Sequence, residues 1–377
     1  MQFAPGKNSD ITVSRRYNQM NGTHNSSTPA HGSSVNPPRR QRPVFVMGCH
    51  RSGTNLLYDT LLSAGGFALY RGYLPIYEIL VPRFGTLESP ANRQKIVETW
   101  LKTKGFRRAG VDPAQISSQL LAEASSAGGF IRIVMDKIAQ NQGVERWALY
   151  DPDSVLHVAQ IRKDIPHPLF IHIIRDGRDI ALSLMKMEGF RPFPWSRHAR
   201  TLLETALYWE WIVHQGRQHG SQIPDDYIEI HYEELVNQPR EALARLGDFL
   251  DHDLDYERIQ SAGLGRLRES NSSFRGDDKE IKNPVNRWKE KLSHPQVAEL
   301  EALIGSSLEE FGYSLTVDAE QRLAGFRLKS LAAIYPRFLS VKQWLKLNTP
   351  MGRLANLSAL ELQDSDAERS DQELPGS

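Results

Sequence analysis

Apolar residues gather into short, β-branched runs that alternate with stretches of helical spacing. Residues 44–47 (VFVM) suit a buried strand; Leu56, Leu57, Leu61 and Leu62 then recur at helical spacing until Gly65 and Gly66. Residues 130–135 (FIRIVM) predict a second strand, 168–174 (PLFIHII) a third, and the alternation of 227–232 (YIEIHY) a fourth. A helix is expected after each, including IALSLMKM with Ser183 in its early turns. Others are expected at 200–215 and after Pro239, and a capped helix at 296–313 closes at Gly312. This repeated strand–helix order predicts an α/β domain with a parallel sheet and helices on both faces. Between Gly66 and Gly129 the pattern is mixed. An aromatic, proline-containing patch around Tyr73 and Tyr77, interleaved with Arg71, Glu78 and Arg83, suits an apolar acceptor pocket with a few polar groups.

The ends differ from this middle. Residues 1–42 are rich in Ser, Asn, Gly and Pro and read as a disordered tail, and 43–316 hold the domain. Residues 317–360 form a basic amphipathic extension, and 361–377 an acidic disordered tail. The extension reads either as a peripheral contact with an anionic membrane or as one or two helices packed on the domain and split at Pro336. With 46 Lys and Arg against 45 Asp and Glu the chain is nearly neutral, so nucleic acid is not an expected partner. The single cysteine, Cys49, excludes an internal disulfide and fits a reducing, cytoplasmic setting; no stretch of about 18 apolar residues suggests a membrane span.

Candidate chemistry concentrates in GCHRSGTNLL. Gly48 and Gly53 allow a tight turn between strand and helix, so backbone N–H groups and the helix N-terminus face one phosphate or sulfate. Arg51, Ser52, Thr54 and Asn55 supply further donors. A nucleoside-triphosphate loop would carry lysine where Thr54 stands. An arginine inside the loop suits an anion bound without metal. Arg175, ending the third strand, and Ser183, eight residues later, are spaced to grip one phosphate, and Lys137 follows the second expected strand.

Three separated motifs, covering roughly residues 43–313, resemble sulfotransferases that use 3′-phosphoadenosine 5′-phosphosulfate (PAPS). GCHRSGTNLL resembles the 5′-phosphosulfate loop. FIHIIRDGRDIALS, with Arg175 and Ser183, resembles the 3′-phosphate site, and IEIHYEELVNQP the strand whose tyrosine, here Tyr232, reaches the same phosphate. The RDGR turn and IKNPVNRWKEKL are closest to the tyrosylprotein branch, where a serine and a lysine near the last stretch touch the cofactor; Ser273 and Lys289 are the matching positions. MDKIAQ resembles the family's lysine motif and makes Lys137 the cation beside the transferring group. The resemblance implies a three-layer, P-loop-like fold with about five parallel strands flanked by helices. It also implies PAPS as co-substrate, a hydroxyl-bearing acceptor and no metal.

Two departures concern the general base. The histidine of the cytosolic branch is Ala139 here, and the GEE-like run of the tyrosylprotein branch is absent. Glu78, which follows the loop and its helix, becomes the expected base, with pairing to Arg71 or Arg83 as its alternative role and Glu88 as a competitor. A P-loop-type nucleotide kinase or hydrolase and a non-catalytic PAPS-binding module remain the rival readings.

Overall fold

The computed structural model describes residues 37–187, 190–193, 196, 198–262, 285–322, 325–355, 357 and 360. Its centre is a five-stranded, wholly parallel sheet in the order β2-β3-β1-β4-β5. The strands are β1 Val44–Gly48, β2 Phe67–Ala68, β3 Arg146–Tyr150, β4 Leu169–Ile174 and β5 Tyr227–His231. Every residue of β1 and β4 is buried, which is why they read as unbroken apolar runs. The two-residue period of a strand divides them between two cores. Phe45, Met47 and Phe170 pack with the helices Ala127–Gln142 and Leu202–Gly220; Val44, Val46 and Ile171 pack with Thr54–Ala64 and Pro239–Leu250. The three layers expected from sequence are therefore present.

One expected strand is a helix. Residues 130–135 lie inside Ala127–Gln142, where Phe130, Ile131, Val134, Met135 and Ile138 are buried and Arg132 points outward. Its caps decide the matter: the Ser126 side chain accepts from Gly129 N–H, and Gly143 ends the helix at φ 67°. The strand itself is β3, opening on Arg146, whose buried guanidinium donates to the carbonyls of Arg42 and Leu250. A charged first residue hid it, and β2, two residues long, carries no periodicity.

The helix after β4 is Gly177–Leu184, so Ser183 sits in its last turn rather than its first. The C-terminal helix Phe326–Asn348 runs through Pro336 without dividing.

Because all strands are parallel, their C-terminal ends share one edge. The loop after β1, Asp151 and Asp153 after β3, Arg175 after β4 and Tyr232 after β5 all follow these ends. The chain leaves β1 to build β2 and β3 on one side and β4 and β5 on the other, which opens the ligand crevice of doubly wound sheets beside β1.

Candidate active site

The loop after β1 is shaped by close approaches. A Cβ on Gly48 would lie 2.4 Å from the Ile173 carbonyl oxygen, and one on Gly53 2.4 Å from the Tyr232 ring. Gly53 has φ 96° and caps the helix Thr54–Ala64; Ser52 N–H closes the turn onto the Cys49 carbonyl at 3.1 Å. Arg51 itself is held at φ 74°, a left-handed conformation that costs a non-glycine residue energy and is typical of ligand clamps. Ser52 is fully buried, yet its hydroxyl has no hydrogen-bond partner in the protein, as expected of a donor reserved for a bound anion.

Around the loop the sequence-distant cations converge. Arg51 Nε donates to Ser183 Oγ at 3.0 Å, and Arg175 Nη1 donates to the Arg51 carbonyl at 3.3 Å. The Arg175 guanidinium lies 4.3 Å from the Tyr232 ring centroid and 3.6 Å from Asp179. Asp179 also accepts the backbone N–H groups of Asn286 and Trp288, both at 2.9 Å, which fastens the C-terminal stretch beside the loop. Burial, then Arg175, then Arg287 lower the pKa of Arg51. Three arginines near enough to repel one another describe a site for a polyanion.

A second constellation lies on the β3 side. Glu78, in the π-turn Ile76–Leu80, is buried with no donor of the protein on its ionised carboxylate; His157 Nε2 lies 3.7 Å away, and in its protonated form Glu78 bonds to the Asp151 carboxylate. Burial, then the charges of Asp151 and Asp153, raise its pKa well above the usual carboxyl value. Arg71 instead pairs with Asp59 at 3.0 Å, and Arg83 donates to the Arg353 carbonyl, so neither alternative partner holds Glu78. Burial brings His157 down to about 4 and keeps it neutral. His50, within the loop, lies 3.2 Å from Asp153. Burial opposes its charge, but Asp153 outweighs this and raises its pKa. Asp153, also opposed by burial, is brought down to about 2 chiefly by His50.

Residues 43–256 match the family model described as "Sulfotransferase family". The chain belongs to the sulfotransferase family. It is 23% identical over 250 residues to a candidate protein-tyrosine sulfotransferase of Caenorhabditis briggsae, covering 64% of this chain and 77% of that protein. A counterpart of the same description from Caenorhabditis elegans is 24% identical over 190 residues, covering 50% and 69%. Among solved structures, the sulfotransferase domain of the Synechococcus PCC 7002 olefin synthase aligns with a TM-score of 0.47 and 18% identity, covering 75% of this chain and 98% of that one.

Within this sulfotransferase-family chain, the structure brings Arg51, Ser52, Gly53, Thr54, Asn55, Arg175, Ser183 and Tyr232 to one strand-end edge. Lys137 is elsewhere. It stands on the exposed face of Ala127–Gln142, bonded to Gln140 at 3.0 Å, and lines a hollow of about 330 Å³ with Gln119, Glu123, Arg132, Ile133, Asp136 and Gln140. None of these belongs to the loop, so its expected place beside the transferring group fails with the strand on which it rested. Lys289 is exposed, its ammonium 5.5 Å from the Trp288 ring; Arg287 is the cation of that stretch whose charge reaches Arg51. Ser273 lies outside the described residues.

Sequence reasoning gave no role to His50, Asp153, Arg287 or Lys346. Lys346, on the C-terminal helix, acts electrostatically on Glu78, Asp153 and His157, so the extension borders the site. The signal for Asp153 was the DPD run directly after RWALY, legible only once that stretch is recognised as a strand.

Proposed function

We propose that this protein transfers the sulfuryl group of PAPS to an acceptor hydroxyl. The observation that carries the reading is the Arg51–Ser183 hydrogen bond with Arg175 against the loop, which joins the loop to the end of β4 and the helix after it. Loop donors and the unpartnered Ser52 hydroxyl suit the 5′-phosphosulfate; Arg175, Ser183 and Tyr232 suit the 3′-phosphate. In the reaction the bond from sulfur to the bridging phosphate oxygen breaks as a bond to the acceptor oxygen forms. The products are a sulfate ester and 3′-phosphoadenosine 5′-phosphate (PAP), and the hydroxyl proton passes to Glu78.

Charge grows on the departing phosphate in such a loose displacement, so alignment and neutralisation supply most of the catalysis. Arg51, inside the loop, supplies positive charge there without a divalent ion. Glu78, desolvated and with no donor of the protein on its ionised carboxylate, suits the base. The test is transfer of labelled sulfate from PAPS to a panel of hydroxyl acceptors, with and without chelator. Chelator-insensitive transfer supports the reading. PAPS binding without transfer to any acceptor leaves a binding module, and phosphate release from a nucleoside triphosphate favours a hydrolase.

A further inference from the structure

The C-terminal helix Phe326–Asn348 has two apolar faces, and the domain covers only one. Leu328, Tyr335 and Leu339 are buried, and Tyr335 accepts a hydrogen bond from Arg200 at 2.9 Å. On the opposite side Ile334 is 64% exposed, Val341 55% and Trp344 58%. These three recur at i, i+7 and i+10, on one helical stripe. Of the nine large apolar side chains exposed among the described residues, seven lie between Phe326 and Leu354. Folding does not require this second face, and scattered surface apolar residues would not concentrate on one element.

Its charge identifies the occupant. From Gln321 to Leu360 the chain carries seven Lys and Arg and no Asp or Glu. Arg327, Lys329, Arg337 and Arg353 are exposed, and Arg337 stands between Ile334 and Val341 on the stripe. Lys342 is occupied, donating to the Pro192 carbonyl at 2.5 Å. Two copies of so cationic a face repel each other, whereas an anionic surface attracts it. An apolar stripe with an outward tryptophan and a cationic border suits the interface of a bilayer. We propose that the 326–354 segment docks the protein on anionic membrane surfaces.

The patch is tied to the domain at its C-terminal end. A Cβ on Gly352 would meet the Pro82 carbonyl oxygen at 2.6 Å, and Arg83 donates to the Arg353 carbonyl. The turn Pro350–Leu354 extends the surface with exposed Met351 and Leu354. Docking therefore needs no refolding of the segment, and attraction should weaken with salt as the cations are screened.

The experiment is co-sedimentation of the full chain with phosphatidylcholine vesicles containing about 30% phosphatidylserine, against phosphatidylcholine alone. The parent is expected to bind the anionic vesicles at least about tenfold more tightly than the neutral ones. The triple variant Ile334→Ser, Val341→Ser, Trp344→Ser should lose at least about tenfold while keeping the parent's circular dichroism and Tm. Arg337→Glu, which leaves the apolar stripe in place, should weaken binding in low salt only. Absence of binding to the anionic vesicles overturns the proposal, as does equal binding by parent and triple variant. A concentration-dependent dimer that the triple variant abolishes would assign the face to a second copy of the chain and overturn it too.

Discussion

Arg51 Nε donates to Ser183 Oγ at 3.0 Å across 132 residues of sequence, joining the loop after β1 to the last turn of the helix Gly177–Leu184. With Arg175 donating to the Arg51 carbonyl, one arginine of the site braces another. Removing Arg175 and Ser183 together should therefore weaken PAP binding strongly. Each contact to a phosphate contributes about 0.5 to 3 kcal/mol. Calorimetry on Arg175→Ala/Ser183→Ala checks this, and parental affinity would refute the 3′-phosphate assignment.

Arg51 answers a different question. In the proposed transfer its charge faces the phosphate that departs, where negative charge increases toward the transition state, so Arg51→Ala should lower turnover by a larger factor than it weakens PAP binding. Parallel measurement of kcat and PAP affinity decides it. Equal losses would make Arg51 a simple clamp.

Gly53 is expected to tolerate no side chain. Its φ of 96° and the Tyr232 ring, 2.4 Å from where a Cβ would stand, act against Gly53→Ala together, one through backbone strain and one through overlap. The variant should lose about 1 to 3 kcal/mol of stability. Tyr232→Leu in the same chain should recover only the overlap. Thermal melts of Gly53→Ala, Tyr232→Leu and the double variant separate the two contributions.

The His50–Asp153 pair sets a pH limit. The folded-state pKa of His50 is raised, so the pair's stabilisation is fully present below the unfolded histidine value and is lost as pH rises through the folded one. The Tm difference between parent and His50→Gln should shrink across that interval. A difference that persists unchanged at alkaline pH would mean that His50 acts through packing rather than charge.

Much of this architecture was legible because β1 and β4 are buried on both faces, and such strands are unbroken apolar runs. The loop chemistry was legible because glycines, an arginine and hydroxyls must be adjacent in sequence to surround one anion. Residues 130–135 misled because strand and buried helix look alike over a window of six residues, five of them apolar; the deciding caps, Ser126 and Gly143, lie outside that window. That error carried Lys137 to the wrong edge and hid Asp151 and Asp153. Lys346 was beyond reach for another reason: its approach to Glu78 depends on where a helix more than 260 residues later packs, which no local pattern encodes.

Glu78 joins stability and activity with opposite signs. Burial first, and then Asp151 and Asp153, raise its pKa well above the carboxyl range. Between the unfolded value of about 4.3 and that raised value the native state holds a proton that the unfolded chain has released, so stability falls as pH rises. Asp151, raised to about 6 mainly by burial, adds a loss of the same sign. Glu78→Gln keeps the shape and removes the ionisable group. The variant should melt above the parent by a margin that grows with pH from about pH 5 upward. Its turnover should drop about 100- to 10,000-fold, since the hydroxyl proton has lost its acceptor. With Glu78 as the proposed base only its ionised form accepts that proton, so turnover should rise with pH along an acid limb that the variant lacks, while PAP affinity stays the same. Melts and kcat–pH profiles of the two proteins measure both effects. Near-parental turnover in the variant across the pH range would remove Glu78 from the reaction and leave it a buried carboxyl of the pocket wall, tolerated at a cost in stability.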